Sequence, residues 1–99
     1  MLAARIEFAP DRDREVFAEV PAAPAVFLLR GSDSASEPYV SKTANLRRRL
    51  ERLLSAPEVR SKRLNLRDRV RSIEYTLTGS DFESGFLLYQ VLRASFPKN

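Results

Sequence analysis

The chain has 99 residues and a formal net charge of +4, and it contains neither cysteine nor histidine. This length fits one domain and is enough to bury a hydrophobic core without disulfides or structural metals. The missing residue types exclude thiolate zinc sites, cysteine nucleophiles and Ser–His–Asp chemistry, so any catalysis must use tyrosine, lysine, arginine or carboxylate groups. No apolar run approaches the roughly 18 residues of a membrane helix, and the N-terminus lacks the continuous apolar stretch of a signal peptide. These features predict a cytoplasmic protein.

The basic charge is concentrated in one segment. Residues 45–71 contain ten basic and three acidic residues, whereas the rest of the chain is net acidic. Such asymmetry is typical of a surface that binds a polyanion. We therefore predict contact with nucleic acid, the alternative being a solvated face that only maintains solubility.

The first third of the chain predicts a strand, a helix and a hairpin. Residues 5–8 alternate as a short strand, and an aspartate at position 11 or 13 begins a helix that ends near Val20, before a proline. Ala25–Leu29 is an apolar run of the kind that is buried on both faces of a sheet. Pro38–Lys42 is predicted to be the next strand, paired with it as an antiparallel hairpin.

The basic segment begins with an amphipathic helix over Asn45–Ser55. Its leucines recur at i, i+4, i+7 and i+8 and form one apolar stripe, which comprises Leu46, Leu50, Leu53 and Leu54. Arg47 and Arg49 fall on opposite edges of this stripe, so Arg49 can reach over a neighbouring sheet face. Arg48 and Arg52 face away from the stripe, toward solvent or a partner.

The last third predicts a short helix, a strand and a long helix. The short helix covers about residues 64–70, and a half-buried strand follows over residues 70–78. Ser80 and Glu83 have the spacing of a capping box before the final helix, Asp81 to about Ser95. That helix is apolar over most of its circumference, which predicts that it is the main core helix. The fold class is α+β, a small three-stranded antiparallel sheet flanked by helices, to which residues 5–8 can add a strand.

Five short motifs carry a resemblance to a known family. They are PAVF at 24–27, YVSK at 39–42, TANLRRRL at 43–50, SDFE at 80–83 and FPKN at 96–99. In this order they resemble the P-G-V-Y, Y-I-G-K, A-x-N-L-R-x-R-L, S-E-x-E and P-x-x-N motifs of the GIY-YIG nuclease superfamily, in particular the N-terminal domain of the UvrC excinucleases. The last motif is one residue short. The resemblance implies one GIY-YIG-like domain over residues 1–99, with a family-like core at 24–99 and an N-terminal extension at 1–23.

The resemblance also implies a site for phosphodiester hydrolysis, which this chain matches only in part. In the family, two tyrosines and an arginine act on a water and the scissile phosphate, and a glutamate on the last helix holds a divalent metal. Tyr39 and Arg49 match the second tyrosine and the arginine, so they are the candidate catalytic residues. Phe27 replaces the first tyrosine, Ser41 the glycine of Y-I-G and Leu88 the glutamate. Leucine has no oxygen with which to bind a hard cation.

These matches predict a degenerate GIY-YIG domain that binds nucleic acid, DNA by analogy with the family, and cleaves it weakly or not at all, with no metal site. The predicted nucleic-acid contacts are Lys42, Arg47, Arg48, Arg52, Arg60, Lys62 and Arg63. One alternative is an active DNA-repair endonuclease that uses Mg²⁺ or Mn²⁺ at a rearranged site with Glu83, Glu74 or Asp81. Helix capping is the simpler interpretation of Glu83. A second alternative is a protein-interaction module whose acidic partner contacts Arg60, Lys62 and Arg63.

Overall fold

The computed structural model describes residues 2–31, 38–55, 66–79 and 81–95. The strands are β1 (Ala4–Glu7), β2 (Ala25–Gly31), β3 (Tyr39–Thr43) and β4 (Val70–Leu77), and the helices are α1 (Asp13–Glu19), α2 (Leu46–Leu54), α3 (Leu66–Arg69) and α4 (Asp81–Ser95). A 3-10 turn, Pro10–Arg12, leads into α1. Within these described ranges, no helix is both long and apolar enough to cross a membrane.

The sheet confirms the predicted α+β class and has four strands rather than three. Its order is β1-β4-β2-β3, and every neighbouring pair is antiparallel. The additional strand predicted at residues 5–8 is β1, which pairs with β4 at the far edge from β3. The apolar run Ala25–Leu29 is buried throughout, as predicted, because β2 lies between two strands and has helices on both faces.

The two faces of the sheet pack against different helices. On one face, odd-numbered residues of β2 pack with apolar side chains of α1 and α2 in the larger core cluster, which includes Phe8, Val16, Phe17, Ala25, Phe27, Leu29, Leu46, Leu50, Leu54 and Ile73. On the other face, Val26 and Leu28 pack with Val91 of α4. Because side chains alternate along a strand, α2 and α4 lie on opposite faces of the sheet. We call these the α2 face and the α4 face.

The prediction that the last helix is the main core helix is wrong. Only Ser84 and Val91 of α4 are buried among its described side chains, and Leu87 and Leu88 are half-buried. Phe86 and Tyr89 are each more than half exposed. The main core lies instead between the α2 face of the sheet and the two helices α1 and α2. An apolar circumference predicts burial only if elements pack on every side, and α4 meets the sheet along one side.

Arg67 joins three separate elements at the end of α2. Its Nη1 donates to Asp13 Oδ2 at 2.7 Å and to the carbonyl of Leu54 at 2.9 Å, and its Nη2 donates to the carbonyl of Pro10 at 2.9 Å. The hydrogen bond from Arg67 is the main cause that lowers the pKa of the Asp13 carboxyl below its ordinary value. One arginine of the basic segment therefore stabilises the fold, since its guanidinium is held by protein groups.

Candidate nucleic-acid interface

The orientation of the arginines on α2 follows from how that helix is fixed. Asn45 is its N-cap, and its Oδ1 accepts a hydrogen bond from the backbone N–H of Arg48 at 3.1 Å. The leucine stripe at 46, 50 and 54 is fully buried against the sheet. This confirms the predicted helical arrangement: Arg48 and Arg52 are exposed, whereas Arg49 is half-buried at the edge of the stripe.

Tyr39 and Arg49 come together on the α2 face. Arg49 Nη2 donates to the hydroxyl oxygen of Tyr39 at 3.2 Å. The Tyr39 ring lies 6.1 Å from the ring of Phe27, centroid to centroid, so the phenol is held against the core. Because the hydroxyl oxygen accepts from Arg49, its own proton remains available to a further acceptor. The pair therefore presents a cation and a hydroxyl donor at one place.

The Nε atom of Arg49 gives the pair a second feature. This atom is buried and has no hydrogen-bond partner among the residues that the structure describes. A buried donor without a partner is unfavourable, and in a charged group the cost is larger. Because the buried Nε has no surface open to solvent, an incoming phosphate oxygen would have to contact the Nη atoms of this guanidinium.

Arg47 has a structural contact in addition to its predicted role. Its Nε donates to the carbonyl of Val20 at 2.8 Å, and its backbone N–H donates to the carbonyl of Pro21. The backbone N–H of Leu46 likewise donates to the carbonyl of Ala23. These bonds connect the start of α2 to the segment between α1 and β2. Contact between Arg47 and nucleic acid stays a prediction, and any such contact would use the other guanidinium nitrogens.

Lys42 lies on the other face of the sheet. It pairs with Val26, and its neighbour Val40 packs with the cluster on the α4 face. Its Nζ lies 3.9 Å from the point that a Cβ on Gly85 of α4 would occupy. The structure therefore places Lys42 beside α4 rather than with Tyr39 and Arg49. The other predicted contacts, Arg60, Lys62 and Arg63, lie outside the described residues.

Among the side chains that the structure describes, those available for a divalent metal do not fit one. Leu88, which is predicted to replace the family's glutamate, packs against the apolar cluster of Val26, Leu28 and Val91. Glu83 accepts from the backbone N–H of Gly79 at 3.0 Å, as a helix-capping carboxylate does. Ser80, its predicted capping partner, lies outside the described residues. Nowhere in the described ranges do three or more acidic side chains converge.

Tyr75 is a further candidate site residue, which the sequence analysis did not identify. It lies directly opposite Phe27 in the pairing of β2 with β4, on the α2 face, and it packs against the main core cluster. A tyrosine thus lies on the strand next to Phe27, the residue that is predicted to replace the family's first tyrosine. The period-two alternation of β4 places Tyr75 on the same side of the strand as Ile73, but no local signal gives the register between β2 and β4.

The chain is an α+β domain whose fold is similar to that of a GIY-YIG endonuclease domain. No family model matches the chain, and no curated protein matches it either. Two solved structures of the GIY-YIG N-terminal endonuclease domain of UvrC from Thermotoga maritima do match. Both have a TM-score of 0.64, with 21% and 20% sequence identity, and each match covers 89% of this chain and 93% of that domain. Both are tyrosine-to-phenylalanine point mutants bound to the catalytic divalent cation of that protein.

Proposed function

We propose that this chain is a GIY-YIG-type domain that binds DNA and hydrolyses phosphodiesters weakly or not at all. The observation that carries the proposal is the Tyr39–Arg49 pair on the α2 face, joined by a 3.2 Å hydrogen bond. DNA is the expected partner because the solved structures with this fold are an endonuclease domain of UvrC. The basic segment supplies the charge that a polyanion requires.

The chemistry of the pair explains binding without metal. Arg49 supplies a delocalised positive charge and several N–H donors in a fixed plane, which match the oxygens of a phosphodiester. The hydroxyl of Tyr39 can donate a hydrogen bond to the same anion. Arg48 and Arg52, exposed on the next positions of α2, extend the positive surface along the backbone of the nucleic acid. These contacts position a phosphate but do not by themselves activate water.

Weak or absent hydrolysis follows from the two replaced positions. Phe27 provides no hydroxyl to act on a water, and Leu88 provides no oxygen to hold a cation. Glu83 is engaged at the start of α4, so it does not supply the missing ligand. In the Thermotoga maritima domain, a tyrosine-to-phenylalanine replacement leaves the cation bound. For this reason we attribute the loss of the cation to Leu88 rather than to Phe27.

The binding test is the salt dependence of affinity for a labelled duplex, measured by fluorescence anisotropy. For B-DNA, the logarithm of the binding constant falls with the logarithm of salt concentration by about 0.9 for each phosphate contacted. Arg49→Ala is expected to lower affinity about tenfold and to reduce this slope by about 1. Arg5→Ala is the matched control, since it removes one positive charge on β1, at the far edge of the sheet from β3. Equal effects of the two substitutions, or an affinity independent of salt, would refute the proposal.

The cleavage test uses labelled single-stranded, duplex and branched DNA with Mg²⁺ or Mn²⁺. We expect at most weak product above that of the Arg49→Ala variant. Efficient cleavage that requires both metal and Arg49 would show instead that the domain is an active endonuclease with a rearranged site. If the folded protein binds no nucleic acid at low salt, the protein-interaction alternative is the remaining one.

A further inference from the structure

The outer side of α4 carries an aromatic surface that the Tyr39–Arg49 pair does not use. Phe86 is 58% exposed, Tyr89 is 57% exposed and Leu92 is 38% exposed. The three residues are spaced at i, i+3 and i+6, so they lie on one side of the helix. Large exposed aromatic groups that are grouped together mark interaction sites more often than isolated ones do. We call these three residues the aromatic face.

Arg93 gives this face a positive charge. Its Nη1 donates to the hydroxyl of Tyr89 at 3.3 Å, and its guanidinium carbon lies 5.7 Å from the centre of the Tyr89 ring. Such a distance falls within the range of cation–π attraction. From Ser84 to Ser95, Arg93 is the only charged residue in the sequence. The aromatic face is therefore apolar and cationic, with no acidic residue along this part of the helix to repel a polyanion.

We propose that the aromatic face stacks unpaired bases of a single-stranded segment of nucleic acid. This inference rests on the proposed function and makes its substrate class more specific. Aromatic rings beside arginine are what sequence-tolerant binding of single strands requires, because every base has a face that can stack. A base pair inside a duplex cannot offer that face, so the proposal distinguishes single-stranded from duplex DNA.

The size of the aromatic face favours bases over a folded protein partner or a second copy of this chain. An aromatic side chain can bury about 150–250 Å², so each of the two rings offers roughly 100 Å². With Leu92, the face offers about 300 Å², well below the roughly 800 Å² that each partner buries in a stable protein interface. The same area is sufficient for one or two stacked bases.

The position of α4 relates this face to the phosphate-binding pair. α4 packs against β2 and β3 on the α4 face, while Tyr39 and Arg49 lie on the α2 face. The edge strand β3 thus lies between α2 and α4. A flexible single strand that passes along this edge can place phosphates at α2 and bases at α4, whereas a duplex is too stiff to follow both surfaces.

The experiment compares a labelled 12-residue oligothymidine with a duplex, using Phe86→Ala and Tyr89→Ala. Because stacking on an aromatic side chain contributes about 1–3 kcal/mol per base, each substitution is expected to weaken single-strand binding by about 5-fold to 150-fold. Duplex affinity and its salt slope should remain those of the wild type. Leu77→Ala is the matched control, since Leu77 is 46% exposed and belongs to β4 on the other face of the sheet. Circular dichroism establishes that each variant is folded.

Two results would overturn the inference while leaving the proposed function intact. One is wild-type single-strand affinity in both aromatic variants, with duplex binding still dependent on Arg49. The other is a concentration-dependent dimer, seen by light scattering, that Phe86→Ala abolishes, because a second copy would then be the occupant. A wild-type protein that binds neither single-stranded nor duplex DNA would overturn the inference together with the proposed function.

Discussion

Replacing Arg67 by methionine tests whether this arginine stabilises the fold rather than binding nucleic acid. Methionine keeps an unbranched apolar stem but removes the guanidinium. The side chain of Arg67 is only 18% exposed, and its donors meet two backbone carbonyls, those of Leu54 and Pro10, as well as Asp13. The substitution therefore disconnects α3 from the end of α2 and from the start of α1.

The expected loss of stability follows from the two bonds to carbonyls. A hydrogen bond that involves a charged group contributes about 1.5–3 kcal/mol. Leu54 ends α2 beside exposed Ser55, so water can hydrogen-bond in place of part of the lost guanidinium. The expected loss of unfolding free energy is therefore about 3 kcal/mol in total. For a domain of this size, that corresponds to a fall in melting temperature of roughly 12–24 °C. A loss of about 3 kcal/mol is a large share of the roughly 5–15 kcal/mol free energy of unfolding that is typical of a whole domain.

The pH dependence of this effect follows from Asp13. Its pKa is lowered in the folded state, chiefly by the hydrogen bond from Arg67, from an ordinary value near 3.8. A carboxyl with a lowered folded pKa stabilises the protein above its unfolded pKa, and this stabilisation is lost as the pH falls through the folded pKa. The difference in unfolding free energy between wild type and Arg67→Met should therefore be largest near pH 7. It should shrink below about pH 4 by the share that Asp13 contributes.

The assay is urea denaturation followed by circular dichroism at several pH values. Arg69→Met is the matched control, because Arg69 is exposed on the same short helix, and it should change stability by no more than about 0.5 kcal/mol. Equal losses in the two variants would contradict the structural role of Arg67. A loss of stability in Arg67→Met that does not depend on pH would contradict the contribution of the Asp13 contact, but not that of the two carbonyl bonds.

Three further substitutions test the parts of the structure that position the site. Leu50→Ala removes a fully buried side chain beneath α2 and should cost about 2–5 kcal/mol in urea denaturation, whereas half-buried Leu53→Ala should cost less. Asn45→Ala removes the N-cap side chain that accepts from the backbone N–H of Arg48. It should lower the free energy of unfolding by about 1 kcal/mol and reduce the helicity. An unchanged thermal melt would show that the cap is dispensable. Leu88→Glu places a carboxylate against the apolar cluster of the α4 face and should destabilise by about 2 kcal/mol at pH 7, and less at pH 4 because a protonated carboxyl is easier to bury. Leu88→Gln, whose cost should not change with pH, is its control.

The local sequence determined the elements and the orientation of α2. The spacing of Leu46, Leu50 and Leu54 specifies one buried side of a helix, and the positions of Arg48, Arg49 and Arg52 relative to that side then follow from helical geometry alone. The five apolar residues of β2 likewise specify a strand that is covered on both faces. These predictions were confirmed because they depend on the period of one segment and not on its neighbours.

The tertiary structure alone decided which of these surfaces are covered and which groups meet. The apolar circumference of α4 suggested burial, yet Phe86 and Tyr89 are exposed, since burial depends on how many elements pack around a helix. The position of Tyr75 opposite Phe27 depends on strand register, which joins residues 48 positions apart in the chain. The contrast between Arg67, held by three protein acceptors, and Arg48, exposed on α2, has the same origin. The two residues have identical chemistry in the sequence, and only long-range packing gives them different roles.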